Sequence, residues 1–470
     1  MSHFCPHYPP PSPKRPSAWR MFFSKRRSWL DGLYARSYEM KMGEVRLPGL
    51  DLFMVNEPAV VRRVLVEQAK AFPKAALLAD ALRPLLGDSI FTTNGAVWER
   101  QRSLMNPSFE AARVSLVYGR MCEAAEAMLQ RLRALPDGTE MDVDVEMTHV
   151  AADIILRTIL SQPLDGVEAR RVFEAFERYQ VLAPRLMLPA FFGVRWLRPW
   201  WEKRRSQQAA TEIRDLLAAM IKPRFEAHAS GDDSSLADDI LGSLLRARDP
   251  DTGAGFSFDE LVDQVAMLFL AGHETSASAL SWSLHLLAHA DDVQERLHVE
   301  VAPHDLLTEP GGPSVLKDLP LTRNVFRETL RLFPPVGFLA RESAEGCTLR
   351  DKHVPAGAAV IVSPWLIHRH RQLWQDPDVF NPDRYDSGDV AADQATRESL
   401  RQAYLPFGMG PRVCIGTAFA LQEASLILAS FCREFRVAPV PGHVPEPVGR
   451  LTVRSANGIR LLLSKRTLPA

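Results

Sequence analysis

The strongest chemical signal in the chain is the run Phe407-Gly-Met-Gly-Pro-Arg-Val-Cys414-Ile-Gly416. A cysteine stands there where loop gives way to helix, because a helical pattern runs from Thr417 through Leu421 and Ala424 to Leu428. The orphan N–H groups and positive dipole end of a helix N-terminus stabilise a thiolate. Glycines let the backbone approach a flat group closely and leave N–H donors free to point at sulfur. A second signal is Ala271-Gly-His-Glu-Thr275, which puts a glycine, an acid and a hydroxyl side by side. A third is Glu328-Thr-Leu-Arg331, opposite charges at i and i+3 on one helix face.

Each signal needs an element to hold it. Ser257-Phe-Asp-Glu260 reads as a capping box, and the apolar pattern continues from it to about Ala290. That is roughly 50 Å of helix at 1.5 Å per residue. Apolar residues lie almost all round it, so the helix should cross the core with Gly272, Glu274 and Thr275 at its middle. A Gly there costs about 1 kcal/mol relative to Ala, and a Thr hydroxyl can bond back to a carbonyl. Pro334 and Pro335 end the helix that carries Glu328. Further helices are predicted over Pro58 to Gln68, Trp98 to Leu116, Arg120 to Leu132, Met147 to Leu160, Val167 to Leu182 and Ala209 to His228. A hairpin is predicted at Gly43 to Phe53, with strands at Ala358 to Ser363 and Arg450 to Leu463. The fold class expected is mainly α with small β-sheets.

Composition narrows the function. The chain has 470 residues, 46% hydrophobic and 24% charged, with 56 Lys+Arg against 57 Asp+Glu and a net charge of −1. No basic excess exists to neutralise phosphates, so nucleic-acid binding is not expected. Five cysteines without a Cys-x-x-Cys pair argue against a structural zinc site and suggest a reducing, cytoplasmic setting. Cys122, Cys347 and Cys432 read as small buried hydrophobes. The sequence shows neither a membrane-spanning run nor a secretory signal. Residues 1–28 are rich in Pro, then in Lys and Arg, and are expected to form a poorly ordered arm. The rest, 29–470, is expected to be one domain, because the site is drawn from segments far apart. Arg195 to Trp201, Arg-Trp-Leu-Arg-Pro-Trp-Trp, is either an amphipathic lid or a helix corner.

The run from Phe407 to Gly416 resembles the haem-binding signature of the cytochrome P-450 superfamily, matched at Phe407, Gly410, Arg412, Cys414 and Gly416. Ala271 to Thr275 resembles the family's central-helix motif, and Glu328 with Arg331 resembles its Glu-x-x-Arg pair, Arg384 being the third member. Trp98-Glu-Arg-Gln-Arg102 resembles the element that meets a haem propionate. Leu451 to Arg460 resembles the terminal hairpin. Tyr385 stands where Phe is commoner, and Asp386 to Gln402 is longer than a minimal connection.

The resemblance implies a helical prism around haem b, with Cys414 as the iron ligand. A thiolate ligand pushes electron density toward cleavage of the O–O bond. It implies Trp98, Arg102, Arg341, Phe407, Arg412 and Gly416 as cofactor-binding residues, the arginines on the propionates. By the same resemblance Gly272 makes room for dioxygen, Thr275 hydrogen-bonds it, and Glu274 relays protons. The reaction implied is monooxygenation of an apolar small molecule, a fatty acid, terpenoid, steroid or polyketide. Candidate pocket segments are Ile90 to Asn94, Val181 to Phe192, Leu268 to Ala271 and Val336 to Leu339. Electrons are expected from NAD(P)H through a ferredoxin or flavodoxin and its reductase, to a monomer. A peroxide-driven haem-thiolate enzyme and a haem-binding sensor or electron carrier are the alternatives. Glu274 and Thr275 argue against the first and a wide apolar pocket against the second.

Overall fold

The computed structural model describes residues 4–14, 16, 28–47, 50–191, 200–233, 236–308, 312–385 and 401–467. Helices dominate it, and short strands are gathered into small sheets, as the periodicity predicts. The helices that matter for the site are α1 (Gly95–Met105), α2 (Val143–Leu160), α3 (Val167–Phe191), α4 (Trp200–Ala229), α5 (Phe258–Ala288), α6 (Pro320–Leu332) and α7 (Thr417–Glu434). The helix expected over 98–116 is broken. It stops at Met105, passes through a 3-10 turn, Asn106–Phe109, and resumes over Ala111–Leu116. Pro107 is the cause, because it has no N–H to give to the preceding turn.

The largest sheet pairs β1 (Met42–Leu47) antiparallel with β2 (Leu50–Val55), as the hairpin reading requires. A parallel partner of β2 is β7 (Ala359–Val362), which pairs antiparallel with β4 (Leu339–Glu342). In a second sheet β11 (Arg460–Lys465) lies between β3 (Thr139–Asp142) and β8 (Phe435–Pro439). Two pairs complete the set: β5 (Cys347–Leu349) with β6 (Lys352–Val354), and β9 (Pro447–Gly449) with β10 (Val453–Ser455). The strand-like stretch 450–463 is therefore split between two sheets.

Serine and glutamate cap α5 as predicted: Glu260 N donates to Ser257 Oγ at 3.3 Å, and Ser257 N to Glu260 Oε2 at 2.9 Å. The helix is buried from Leu261 through Leu270 and again from Ser276 through Ala288. Gly272 earns its place on α5 from the side of α2. A Cβ built there falls within 3.0 Å of Ile155 Cδ1 and Cγ1. The room expected above the cofactor is thus not what the missing side chain supplies; it supplies close packing of α5 against α2.

Part of the N-terminal arm also departs from expectation. Within residues 4–14, Pro6 is buried and Phe4 and Tyr8 are half-buried against the core, while Cys5, His7, Pro10, Pro13 and Lys14 stay exposed. Phe4 stacks on His289 with centroids 4.5 Å apart, and Tyr8 donates to Asp378 Oδ1 at 2.9 Å. Two backbone bonds of 2.9 Å, Phe380 N to Phe4 O and Ala35 N to Ser12 O, fix the strand of chain between them. Aromatic rings among the prolines bury apolar surface that a purely polar arm would lack. The basic residues 17–27, the side chains of the pocket segment 181–192, most of the stretch 195–201 and nearly all of 386–402 lie outside the described residues.

Gly272→Ala should raise helix propensity by about 1 kcal/mol and cost about 1–3 kcal/mol in overpacking, for a net loss of stability. Ile155→Val in the same protein should recover it, because the overlapping methyl is removed. Urea unfolding of the two single variants and the double variant checks this; additive losses would contradict the assigned contact.

Candidate active site

The cysteine loop is shaped by its glycines and tied down at both ends. Gly410 has φ 75°, and a Cβ on it would overlap Leu65 O. Only glycine permits that approach. Cys414 N donates to Phe407 O at 2.9 Å and Val413 N to Gly410 O at 3.0 Å, closing the loop. Phe407 packs against the core. Cys414 lies just ahead of α7, whose first residue Thr417 donates its hydroxyl to Cys414 O at 2.8 Å. The sulfur is exposed, yet burial by the surrounding protein pushes its thiol up, opposed by the Gly416 amide, the charge of Arg102 and Thr417. Both hold together only for an atom that faces a hollow inside the protein. A Cβ on Gly416 would stand 3.9 Å from Cys414 Sγ with nothing else near, so the chain itself leaves that space free.

The packing also opens at the middle of α5. In a helix buried on both sides of its midpoint, Ala271 is exposed and Gly272 and Thr275 are half-buried. Thr275 Oγ1 donates to Ala271 O at 2.6 Å. Its lone pairs remain free to accept, and its proton becomes available only when that bond is released. His273 is fully buried, with Nδ1 2.7 Å from Phe269 O and Nε2 3.0 Å from Gln180 Nε2, and burial holds it neutral. It is a core residue on the packed face of α5.

Glu274 is more constrained than the sequence suggests. Thr452 Oγ1 donates to its Oε1 at 2.6 Å, Arg454 Nη2 lies 3.1 Å from its Oε2, and Gln180 Nε2 donates to the same Oε2. Burial raises its pKa, but Arg454, His273 and Thr452 together bring it below the ordinary carboxylate value. It is an ionised carboxylate held in a clamp. Thr452 and Arg454 belong to the terminal hairpin, and no local motif connects them to residue 274.

A group of cations gathers at the edge of the hollow. Arg102 comes from α1, Arg341 from β4, Arg412 from the cysteine loop and Lys74 from the turn bridged to Arg341. Arg412 and Lys74 lie over the Trp98 ring, 5.2 and 5.8 Å from its centroid. Their hydrogen bonds go to neutral acceptors: Arg102 to Asn106 Oδ1 at 2.7 Å, Arg341 to Ala340 O at 3.0 Å, Arg412 to Ala69 O at 2.7 Å and Lys74 to Ile90 O at 2.5 Å. Among the described residues none of the four pairs with a carboxylate. Burial, with mutual repulsion from the three arginines, brings Lys74 down to about 7, and burial with Arg412 brings Arg341 to about 10. Unpaired, partly buried cations of one sign crowded together are costly, and an anionic ligand with more than one carboxylate would relieve them. Lys74 was not legible in the sequence, because a Lys after Phe72-Pro73 carries no signal of its own.

The loop that presents Cys414 is braced from α6. Glu328 and Arg331 are both 0% exposed and paired at 2.8 Å. Arg384 Nε reaches Glu328 Oε1 at 2.9 Å, and Tyr385 donates to Glu328 Oε2 at 3.1 Å. Tyr385 therefore adds a fourth member to the expected trio. From the same helix Arg327 O accepts from Tyr404 at 3.0 Å, and His368 Nε2 accepts from Leu405 N at 2.9 Å, next to the cysteine loop.

The hollow, the sulfur on one wall, the open strip of α5 on the other and the unpaired cations at the rim fit a flat, dicarboxylate, metal-bearing cofactor such as haem. Comparison with known proteins agrees. A family profile described as Cytochrome P450 matches residues 9–462. The chain is 32% identical over 435 residues to "Cyclooctatin synthase" of Streptomyces melanosporofaciens, covering 90% of this chain and 88% of that protein. It is 30% identical over 454 residues to "Pentalenene oxygenase" of Streptomyces avermitilis, covering 96% and 95%. A solved structure of a cytochrome P450DA heme domain superposes with TM-score 0.78 at 23% identity, covering 91% of this chain and 90% of that one. The chain belongs to the cytochrome P450 family, whose members are oxidoreductases that incorporate oxygen from dioxygen.

Proposed function

We propose that Cys414 would supply the thiolate ligand of a haem b, whose propionates Arg102, Arg341, Arg412 and Lys74 would hold beside Trp98. The observation that carries this is the exposed Cys414 just ahead of α7, set beside four cations, Arg102, Arg341, Arg412 and Lys74, that pair with no carboxylate among the described residues. Haem, when bound, supplies electron uptake and dioxygen activation. The chain supplies the rest. Phe407 and the Gly416 gap set the sulfur side, and the Glu328 cluster holds the loop still. Thr275 swings its hydroxyl from Ala271 O to donate over the hollow, and Glu274 hands protons to Thr275 Oγ1. Surrounding apolar side chains keep water from competing for those protons.

The substrate is read as an apolar alkene or alkenol. That reading is supported by the apolar content of segments 90–94, 268–271 and 336–339. It is also supported by relatives named "Pentalenene oxygenase" and "Cyclooctat-9-en-7-ol 5-monooxygenase". Electrons come from NAD(P)H through a separate ferredoxin or flavodoxin and its reductase, in the cytoplasm. No described helix is long and apolar enough to cross a membrane.

Cys414→Ser should bind haem weakly and lose the red-shifted carbon-monoxide band that gives the family its name; retention of the band would remove the ligand assignment. Thr275→Ala should keep that band and the substrate-induced absorption shift, but send electrons to peroxide; unchanged coupling would remove its role. Lys74→Met should bind haem more weakly, by about 0.5–2 kcal/mol for one lost charge-assisted bond. Competition for haem with apomyoglobin measures it, and equal affinity would leave Lys74 without a propionate. Turnover on peroxide alone, matching that on reduced ferredoxin, would favour the peroxide-driven alternative.

A further inference from the structure

His368 joins the Glu328 cluster to the cysteine loop. Its carbonyl accepts from Arg331 Nη1 at 2.8 Å, and its Nε2 accepts from Leu405 N at 2.9 Å. Leu405 O in turn accepts from Gly408 N at 3.1 Å, inside the run from Phe407 to Gly416. A buried backbone amide must keep its partner, so the entry to the loop follows the position of one imidazole. Burial, with the charges of Arg331 and Arg369, brings His368 down to about 3, and a neutral ring can keep a nitrogen free to accept.

The neighbour of that imidazole is held in an unusual way. Arg369 is wholly buried, and among the described residues no hydrogen bond reaches its guanidinium. Three rings stand around the charge instead, Trp365 at 3.8 Å, Tyr8 at 5.1 Å and Phe333 at 5.5 Å from Cζ. Trp365 and Phe333 are fully buried, whereas Tyr8 is half-buried and closes the cage from outside. A cation held only by ring faces depends on each of them, and loss of one lets it turn toward water.

The same tyrosine makes a second tie. Its hydroxyl donates to Asp378 Oδ1 at 2.9 Å and accepts from Arg371 Nη2 at 3.2 Å, and Arg371 also pairs with Asp378. Asp378 lies between Pro377 and Val379, whose carbonyls accept from Arg331 at 2.6 and 2.9 Å. One residue further on, Phe380 N donates to Phe4 O at 2.9 Å. Both ties therefore lead to the backbone that receives Arg331: one through Arg369 to His368, the other through Asp378 to its two neighbours.

We propose that Tyr8 is a positioning residue for the Cys414 loop, closing the cage around Arg369 and tying the segment 377–379 so that His368 seats Leu405 where the loop begins. The proposal rests on the reading of Cys414 as the haem ligand given above. It gives the first residues of the chain a task in the site beyond covering apolar surface.

The test is made on the full-length, haem-loaded protein. Tyr8→Leu keeps apolar bulk and removes both ring and hydroxyl; Tyr8→Phe keeps the ring and removes the hydroxyl. Leu463→Ala is the control for general loss of stability, because Leu463 is buried in the second sheet, where it pairs with Thr139 and Val437. All are compared at the same interval below their own unfolding midpoints. Tyr8→Leu should speed hydrogen exchange at the Leu405 and Gly408 amides by about tenfold. It should also raise severalfold the share of reduced, carbon-monoxide-bound protein that lacks the red-shifted band, and the rate of haem transfer to apomyoglobin. Tyr8→Phe should move all three in the same direction by less than half as much, and Leu463→Ala should leave them as in the wild type. Wild-type exchange and band in Tyr8→Leu would overturn the proposal. Equal changes in Leu463→Ala would overturn it too, since the arm would then act on stability alone. If Cys414→Ser keeps the band, the ligand reading fails instead, and exchange at the two amides still decides the role of Tyr8.

Discussion

A single carboxylate with no exposed surface, Glu328, organises one whole side of the molecule. It could not remain ionised without Arg331 and Arg384, and those arginines in turn draw in backbone carbonyls of the segment that follows β7. Arg331 donates to His368 O at 2.8 Å, Pro377 O at 2.6 Å and Val379 O at 2.9 Å. Removing one partner from such a set leaves an uncompensated buried charge, at a cost on the order of 3–5 kcal/mol. The segment that leads into the cysteine loop is therefore fixed by buried electrostatics, while the loop itself is held by its own hydrogen bonds and packing.

The distal side follows a different logic. There α5 is squeezed against α2 at Gly272, while the neighbouring turn is left open at Ala271 and Thr275. One helix thus combines tight contact and deliberate vacancy within a single turn. The chemistry-bearing residues divide along the same line. Thr275 belongs to the open face, whereas His273 and Glu274 belong to the packed one.

Much of this was legible in the chain. The capping box at Ser257 fixed where α5 begins, and the pattern beyond it placed residues 271–275 at mid-helix. The Cys414 run announced the loop ahead of α7. What could not be read were contacts between segments without local signatures. Thr452 and Arg454 sit in a short hairpin 178 and 180 residues from Glu274, and hydropathy says nothing about their meeting. Lys74 is recruited by β4 through one isolated bridge. The reason for Gly272 was misjudged because a sequence shows that a side chain is missing but not which neighbour fills the gap.

Arg369 carries a lesson about the chain's beginning. Its guanidinium is wholly buried, and among the described residues none of its three nitrogens has a hydrogen-bond partner. The charge is sheltered instead by ring faces, with Trp365 at 3.8 Å, Tyr8 at 5.1 Å and Phe333 at 5.5 Å from its carbon. One of those faces arrives from the eighth residue. Fusions and trimming at this terminus are thus alterations to the interior, and a shortened protein would open a wet seam beside the same segment that anchors Arg331.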